Sequence, residues 1–395
     1  MRSHRAGDRR GFALLVALAA LVIIGGLIVG AFFASTQEFR IGRNTLLQSR
    51  AMTAAEYGLN ETMIMNTVWQ SSWANEAAGT VVLKSGDYNS TFDPGDGSVG
   101  QRSVVSLGNG NFLVISEGFA GSTLGAQARK RLGGFVRIRA PKFNLRGAIT
   151  TRGSIKIAGS TEIHGEDTAP SLWTDCPPTT DTLPGVAYNP DYPPSINCDN
   201  KGCVTGDPPS LPDTAAANSG TYNVFGDLTY ADLVALSTKT LPGGLTFTNL
   251  APAFTLDSIT GVTLCDRKVN SNWGDPTHTY PDTECRSYYP IIHVKGDLKL
   301  TGGAGQGILL IDGNLDASGG VNFYGPVIIK GALKITGNSA APRFLGGVMA
   351  ENVDINNNMM AGNSVVSFSS CAIEKAVNGS ATPAFDKTRG WMEMY

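Results

Sequence analysis

The chain has 395 residues, of which 42% are hydrophobic and 16% are charged, and 48 are glycine. This hydrophobic share is ample for a core and excludes a disordered polymer. The 31 Lys and Arg nearly balance the 33 Asp and Glu, so no strong field exists to attract nucleic acid, and no nucleic-acid partner is expected. Many glycines and few charges favour turn-rich β structure over a helical bundle.

The first element is an uncharged, apolar run from Phe12 to Ala34. As a helix rising about 1.5 Å per residue it is roughly 35 Å long, which predicts a transmembrane helix over residues 12–34. The leader, residues 1–11, has four arginines against Asp8. The positive-inside rule therefore places this leader in the cytoplasm and the rest of the chain outside. A cleaved secretory signal is the rival interpretation, but the apolar run exceeds the usual signal core.

The transmembrane segment continues into a predicted helical stalk over residues 35–78. Its residues to about Val68 are mostly helix formers with apolar side chains at helical spacing. This stripe is expected to pack on the chain's own domain or on another subunit. Its members are Leu46, Leu47, Met52, Ala55, Leu59, Met63 and Ile64. Within the span, Gly26 and Gly30 form a small-xxx-small pair that lets a second helix approach closely.

Three stretches of this N-terminal region carry a family resemblance. They are Arg10-Gly11 followed by FALLVALAALVII, then Arg43-Asn44, and then RAMTAAEYGL from Arg50. Together they make the N-terminal part of the chain, from Met1 to about Met65, similar to the PilX-type N-terminal region of minor pilins and type IV pilus assembly proteins.

The resemblance implies a processing site and a set of partners. In pilin-like proteins a prepilin peptidase cuts after the glycine that precedes the apolar run, which here is Gly11, and leaves Phe12 as the new N-terminus. The helix is then expected to insert among other pilin-like subunits in the lipid bilayer of the bacterial inner membrane. Major pilins carry a glutamate where this chain has Val16, so the chain departs from the pattern at the residue that pairs with a neighbour's N-terminal amine.

After the stalk, alternating apolar and polar residues predict a small β unit over residues 79–145. Repeats follow it, and their central apolar residues from Leu298 onward are 17, 18 and 20 residues apart. This period predicts stacked coils of a parallel β-helix, or solenoid, at residues 146–165 and 291–375, before a C-terminal tail at 376–395. The repeat strings are GSIKIAGS from Gly153, GDLKLTGG from Gly296, GNLDASGG from Gly313, GALKITGN from Gly331 and ENVDINNN from Glu351.

The expected fold class is α+β, mainly β, with a long N-terminal transmembrane helix, a parallel β-helix and a disulfide-bearing insertion. An antiparallel sandwich, which also has evenly spaced strands, is the alternative to the solenoid. The repeats also resemble those of pilin-like proteins from environmental bacteria whose heads look like β-solenoids.

A segment rich in Pro, Asp, Thr and Gly, residues 166–290, interrupts the repeats. Long insertions on solenoids often lie on the binding face, and a structural flap that covers the coils is the equal alternative. The segment holds five of the six cysteines, and an even number outside the membrane predicts disulfides, whose pairing the sequence leaves open. The candidate cysteines are Cys176, Cys198, Cys203, Cys265, Cys285 and Cys371.

A search for chemistry finds no catalytic, cofactor-binding or metal motif. The four histidines have no second ligand type at metal-like spacing. The run GGAGQG from Gly302 lacks the Lys and Ser/Thr of a phosphate loop. In the acidic string from Asp87, Phe92 occupies the place of the glycine that an EF-hand calcium loop requires. Asp354 with the three asparagines 356–358 favours an asparagine ladder in the solenoid over a calcium site.

These observations favour a membrane-anchored, pilin-like structural protein, a minor pilin or a component of type IV pilus assembly, and not an enzyme. Its N-terminus is expected in the cytoplasm and its head outside the inner membrane. The alternative is a membrane-tethered β-helix that binds or cleaves polysaccharide. That alternative predicts a solvent-facing row of aromatic and acidic residues across successive coils.

Overall fold

The computed structural model describes residues 10–64, 73, 76–84, 86–87, 90–121, 127–177, 181–199, 202–256, 263–280, 284–337, 339–353, 358–380, 382–385 and 391–394. The chain divides into two compact units. The first unit is Met1–Trp69, Trp73–Arg137 and Ala384–Tyr395, and the second is Gln70–Ser72 and Ile138–Pro383.

The main helix, α1, spans the 55 residues Arg10–Ile64 without a break. Its sequence is rich in Ala, Leu and other good helix formers and contains no proline. The expectation of one long, apolar N-terminal helix is confirmed. The described residues after α1 also form three short helices, α2 (Thr214–Ala217), α3 (Tyr230–Ala235) and α4 (Ser370–Ser380), and a 3-10 helix at Ser219–Tyr222.

Strands make up most of the remaining regular structure in the described residues. In chain order they are β1 (Val81–Leu83), β2 (Thr91–Phe92), β3 (Ser98–Gly108), β4 (Asn111–Gly121), β5 (Gln127–Arg139), β6 (Ile149–Thr151), β7 (Ile155–Gly159), β8 (Glu162–His164), β9 (Val186–Tyr188), β10 (Ser195–Cys198), β11 (Val204–Thr205), β12 (Ser210–Pro212), β13 (Val224–Phe225), β14 (Leu228–Thr229), β15 (Lys239–Pro242), β16 (Leu245–Phe247), β17 (Phe254–Leu256), β18 (Thr263–Cys265), β19 (Ile291–Lys295), β20 (Leu298–Leu300), β21 (Ala304–Gln306), β22 (Ile308–Ile311), β23 (Leu315–Ser318), β24 (Asn322–Ile329), β25 (Leu333–Thr336), β26 (Arg343–Ala350), β27 (Asn358–Ala361), β28 (Val365–Phe368), β29 (Thr382–Phe385) and β30 (Met392–Met394).

The first unit is a sheet of seven strands on which the C-terminal part of α1 packs. Its order is β1-β3-β4-β5-β29, with β2 beside β3 and β30 beside β5. The β3–β4 and β4–β5 pairs are antiparallel. Asn109 and Gly110, at φ 53° and 72°, form the two-residue turn between β3 and β4, as an Asn-Gly pair is expected to do. Alternate residues of β3, from Ser98 to Ser106, are buried, so this sheet has one covered face.

The second unit is built on two parallel sheets. One has the order β10-β7-β27-β25-β23-β20-β16, and the other has the order β11-β8-β28-β26-β24-β22-β19-β15 with four more strands attached. Each neighbouring pair in these two orders is parallel. The expectation of parallel strands is therefore confirmed, and the pairing of an antiparallel sandwich is absent from these two sheets.

Along residues 291–368 the chain alternates between the two sheets. It adds β20, β23, β25 and β27 to the first sheet and β22, β24, β26 and β28 to the second. The repeat residues Leu298, Leu315 and Leu333 stand in register on adjacent strands and are at most 1% exposed. Inward side chains from both sheets join one buried apolar cluster. The regular period of the repeats therefore marks successive strands of one sheet.

The fifth repeat differs from the sequence prediction. In the described residues 351–353 of this string there is no strand, and Val353 is 42% exposed. The strand in register is β27, where Met360 pairs with Ile335 and is fully buried. Burial of Met360 decides the register because the apolar core accepts it and leaves Val353 outside.

The strands of the two parallel sheets do not follow one another in chain order. The strands of the early repeat, β7 and β8, pair with β27 and β28 from the end of the second unit. The segment 166–290 then contributes β10 and β11 beside β7 and β8, and β15 and β16 at the opposite edges, beside β19 and β20. The short strands of this segment therefore extend both sheets at both ends.

Residues 213–236, here called the flap, cover the outer face of the larger parallel sheet. Four buried flap side chains form one apolar cluster with outward residues of that sheet. This part of the segment therefore acts as a structural cover. The flap members are Tyr222, Phe225, Leu228 and Leu233, and the sheet members are Ile291, Ile308, Leu310, Ile328 and Met349.

A ladder of alternating charges also contacts the flap. Its members lie in register at or directly after the ends of adjacent strands, and they are Lys295, Asp312, Lys330, Glu351 and Arg152. Lys330 Nζ lies 2.6 Å from Glu351 Oε2 and donates to the flap carbonyl of Tyr222 at 3.0 Å. Alternation places opposite charges beside one another across strands, which stabilises this register.

Candidate functional site

The candidate site is α1, because the apolar side chains of its N-terminal half are exposed. From Leu14 to Phe33 the described side chains are exposed, and Leu27 and Phe32 are 69% and 72% exposed. The helix is long and apolar enough to cross a membrane, with a mean hydropathy of 2.8 over its most apolar window of 18 residues. Surface of this kind is stable in a lipid bilayer or against other apolar helices.

The predicted processing and packing residues lie along this half. The backbone is helical at Gly11 and Phe12, and residues 1–9 of the leader lie outside the described residues. Gly26 and Gly30 have no atoms of other elements within 4 Å of where a Cβ would stand. They therefore leave a shallow open groove on the helix surface, as a close helix partner requires.

The C-terminal half of α1 packs on β3 and β4 through very small residues. Ala51, Ala54 and Ala55 are fully buried. Opposite them is Gly118 of β4, where a Cβ would lie 2.1 Å from the carbonyl oxygen of Ala51. At Gly58 an added Cβ would lie 2.2 Å from the ring of Phe92. The RAMTAAEYGL stretch thus supplies a face without bulky side chains, which lets the helix approach the sheet closely.

This buried face is rotated from the predicted apolar stripe. Ala55 and Leu59 belong to both, but Leu46 is 53% exposed and Leu47 and Met52 are only half-buried. Small residues decide the packing because they permit the shortest distance between helix and sheet backbones. The pattern of large apolar residues therefore missed Ala51, Ala54 and Gly58.

A buried ion pair reinforces the same contact. The Arg102 side chain, on the helix-facing side of β3, is only 1% exposed. Its Nη1 donates to Glu61 Oε2 of α1 at 2.9 Å, and its guanidinium lies 5.6 Å from the centre of the Phe92 ring. Since a buried guanidinium needs a counter-charge, this pair fixes which turn of the helix lies over β3.

Removing the carboxylate of this pair is expected to loosen the helix. Glu61→Gln replaces the carboxylate that faces the buried Arg102 guanidinium with a neutral amide, and we expect a loss of about 3 kcal/mol from the first unit. The matched control is Glu56→Gln, on the exposed side of the same helix. The free energy of unfolding of each variant is measured in urea, with hydrogen exchange of the α1 amides as the signal. Equal effects of the two variants would contradict this role of the pair.

The other face of the first unit's sheet carries a charged cluster. Glu117 is 8% exposed and accepts from Gln101 Nε2 at 3.1 Å and from Arg129 Nη2 at 2.8 Å. Burial favours the neutral acid, but these hydrogen bonds and the charges of Arg129 and Arg131 lower the pKa of Glu117 overall. A lowered carboxylate pKa means that this stabilisation is present at neutral pH and is lost as the pH falls through that pKa.

The six candidate cysteines form three disulfides in the second unit. The pairs are Cys176–Cys371, Cys198–Cys203 and Cys265–Cys285. The expectation of disulfides is confirmed. The first pair joins residues 195 apart and packs with Trp173 and Ala372 in a small buried cluster, so it ties the start of the 166–290 segment to α4.

The other residues that the sequence offered as candidate ligands make structural contacts. His293 is 3% exposed, and its Nε2 lies 2.8 Å from Asp312 Oδ2 in the charge ladder. Asp87 accepts from the backbone N–H of Lys84 in a local turn. Asn358 is buried and accepts from the N–H of Leu333 on the neighbouring strand, while Asp354 and residues 356–357 lie outside the described residues.

This arrangement offers no candidate metal site among the described residues. Among the described residues, no group of three or more His, Cys, Asp or Glu side chains is arranged to hold a metal ion. The loop at Gly302 leads from β20 to β21, and an added Cβ at Gly302 would lie 2.6 Å from the carbonyl oxygen of Thr248. This close approach of the Thr248 backbone explains the glycine without a phosphate ligand.

The comparisons with known proteins give a match among solved structures. No protein-family model matches the chain, and no curated protein matches it. Among solved structures, the crystal structure of the competence-associated pilin ComZ from Thermus thermophilus matches at 11% identity, over 88% of this chain and 98% of that chain. The TM-score is 0.24, and a likeness at this level assigns neither fold nor function to this chain.

Proposed function

We propose that this chain is a membrane-anchored, pilin-like structural subunit, a minor pilin of the PilX type or another component of type IV pilus assembly. The observation that carries the proposal is α1, one unbroken helix whose first half is bare and apolar and whose second half is fixed to an antiparallel sheet. Because no linker separates the two halves, a contact made by the apolar half transmits force directly to the folded sheet.

The proposed topology places the leader in the cytoplasm, and the sheet of the first unit and the whole second unit outside the inner membrane. The arginines of residues 1–11 and the absence of charge over residues 12–34 support this orientation. Three disulfides in the second unit fit an oxidising compartment. The apolar half of α1 then lies in the bilayer and, after assembly, among the helices of other pilin-like subunits.

The second unit is proposed to be a parallel β-solenoid that serves as the outward head. Its support is the alternation of strands between two parallel sheets, with Leu298, Leu315 and Leu333 stacked in register. We assign the head a structural and surface-contact role, and no catalysis.

The polysaccharide alternative gains no support from the exposed face of the seven-stranded parallel sheet. It predicted a row of aromatic and acidic side chains across the coils. The outward row in register on this sheet contains three lysines, one acid and no aromatic residue. Its members are Ser195, Lys156, Met359, Lys334, Asp316, Lys299 and Thr246.

Processing at Gly11 tests the pilin proposal. In a piliated host we expect the mature protein to start at Phe12, and to keep its leader in a strain without prepilin peptidase. Gly11→Leu is expected to block cleavage, while Gly7→Leu, a glycine elsewhere in the same leader, is the matched control. Mass spectrometry identifies the N-terminal residue of each product. An intact leader in both strains would remove the main support for a pilin and leave a simple membrane anchor.

A further inference from the structure

A stripe of large apolar residues on α1 points away from the first unit's sheet. Phe32, Phe39 and Leu46 are each seven residues apart and are 72%, 73% and 53% exposed. At about 100° per residue, Leu46 lies about 180° around the helix from the buried Ala55. The stripe is therefore free of the contact that holds α1 to the sheet.

The spacing and the residues between these positions indicate a helical partner. A seven-residue repeat keeps one seam facing a second helix when two helices wrap around each other. Three residues after each large side chain stand Ser35, Gly42 and Ser49, all exposed and small. Small residues beside the large ones leave room for the partner's large side chains and permit close approach.

The charges beside the stripe match a second copy of this chain. If Phe39 takes the first position of a heptad, Glu38 and Arg43 fall at the two flanking positions that meet across a parallel pair of helices. Both residues are exposed. In a parallel, in-register pair, Glu38 of each copy meets Arg43 of the other, so two complementary pairs form. Two copies anchored in one membrane with the same orientation are parallel by necessity.

We propose that two copies of this chain form a parallel, in-register dimer along the Phe32–Leu46 stripe, with reciprocal Glu38–Arg43 pairs. The proposal rests on the membrane placement proposed above. Leu46 lies about 18 Å beyond Ala34 along the helix axis, farther than the roughly 5–8 Å thickness of a headgroup layer. The lipid interface therefore does not account for the whole stripe. Gly30 lies about 180° from Phe39 and remains available for a different neighbour.

Cysteine cross-linking in native membranes tests this dimer with the full-length chain. All six native cysteines are paired in disulfides and none lies on α1, so an added thiol is distinct. We expect Phe39→Cys and Leu46→Cys to give covalent dimers on mild oxidation. Ile41→Cys is the matched control, since Ile41 is 63% exposed but lies about 200° around the helix from Phe39. Dimers of equal yield at Ile41, or none at positions 39 and 46, would overturn the proposal.

Charge reversal separates a specific dimer from chance collision. Glu38→Arg is expected to reduce the Leu46→Cys cross-link about fivefold, and adding Arg43→Glu is expected to restore it. An unchanged yield in the single reversal overturns the paired arrangement. The measurement is repeated in a strain that assembles no filaments. If cross-links form only in the strain that assembles filaments, the dimer proposal is overturned and the pilin proposal is unaffected. If cross-links also form without filaments, they support the dimer proposal independently of the pilin proposal.

Discussion

Gly118→Ala is expected to detach the C-terminal half of α1 from its sheet. The new Cβ would lie 2.1 Å from the Ala51 carbonyl oxygen and 2.6 Å from the Ala55 nitrogen, both backbone atoms of the helix. No side-chain rotation relieves such a contact, so the helix itself must move. We expect a cost of about 3 kcal/mol, at the upper end of the range for overpacked cores.

Hydrogen exchange at the amides of residues 51–59 measures this effect. A loss of about 3 kcal/mol in the opening free energy accelerates exchange roughly a hundredfold where opening limits it. The control is Gly42→Ala on the exposed part of α1, where no atom of another element lies within 4 Å of the added Cβ. That change removes a helix glycine and is expected to be neutral or slightly stabilising. Equal exchange rates in the two variants would contradict the close helix–sheet contact.

Removing the Cys176–Cys371 disulfide is expected to have the largest effect on the second unit. The bond joins residues 195 apart, and chain-entropy estimates assign a loop of this size about 5 kcal/mol. Replacing both cysteines by serine avoids a free thiol. We therefore expect the double variant to unfold at a markedly lower denaturant concentration than the parent chain.

The short Cys198–Cys203 loop provides the matched control for that measurement. Its partners are only five residues apart, so the same model assigns it about 2 kcal/mol. The two double-serine variants are compared by guanidinium unfolding of the purified chain, with the fluorescence of the tryptophans as the signal. If both variants shift the midpoint equally, the 176–371 bond does not tie distant parts of the second unit together.

The regular parts of the fold were readable from the sequence because their signals are local. The uncharged run at residues 12–34 and the good helix formers after it predicted α1. The nearly even spacing of Leu298, Leu315 and Leu333 predicted parallel strands in register, and those residues are stacked as expected. In each case neighbouring residues alone carry the pattern.

The stacking order was not readable because it depends on pairing between distant residues. Ile155 of β7 pairs with Asn358 of β27, from the far end of the second unit, and no local period marks that contact. The fifth repeat was misplaced because Met359 pairs with Lys334, so that Asn358 rather than Val353 stands beside Leu333, and the interval to this strand is longer than the earlier ones. Strands of two to four residues in the 166–290 segment are too short to show alternation.

The contact face of α1 was missed for a different reason. Ala51, Ala54 and Gly58 contribute little to an apolar stripe. The prediction therefore followed the larger apolar residues, such as Leu46 and Met52. A search for small residues at helical spacing would have found the face. The charge ladder was also visible, since ILLID, PVIIK and GGVMAE each end in a charge of alternating sign.

The measurement that tests the central claim most directly is the recovery of this protein in filaments. Surface filaments are sheared from a piliated host that expresses the full-length chain, purified, and probed for the second unit by mass spectrometry. A strain unable to assemble filaments but with equal amounts of the protein in its membranes is the control. We expect the chain in the sheared fraction of the first strain only. Its absence from filaments in both strains, with all of it retained in the membrane, would contradict a role as a pilin-like subunit.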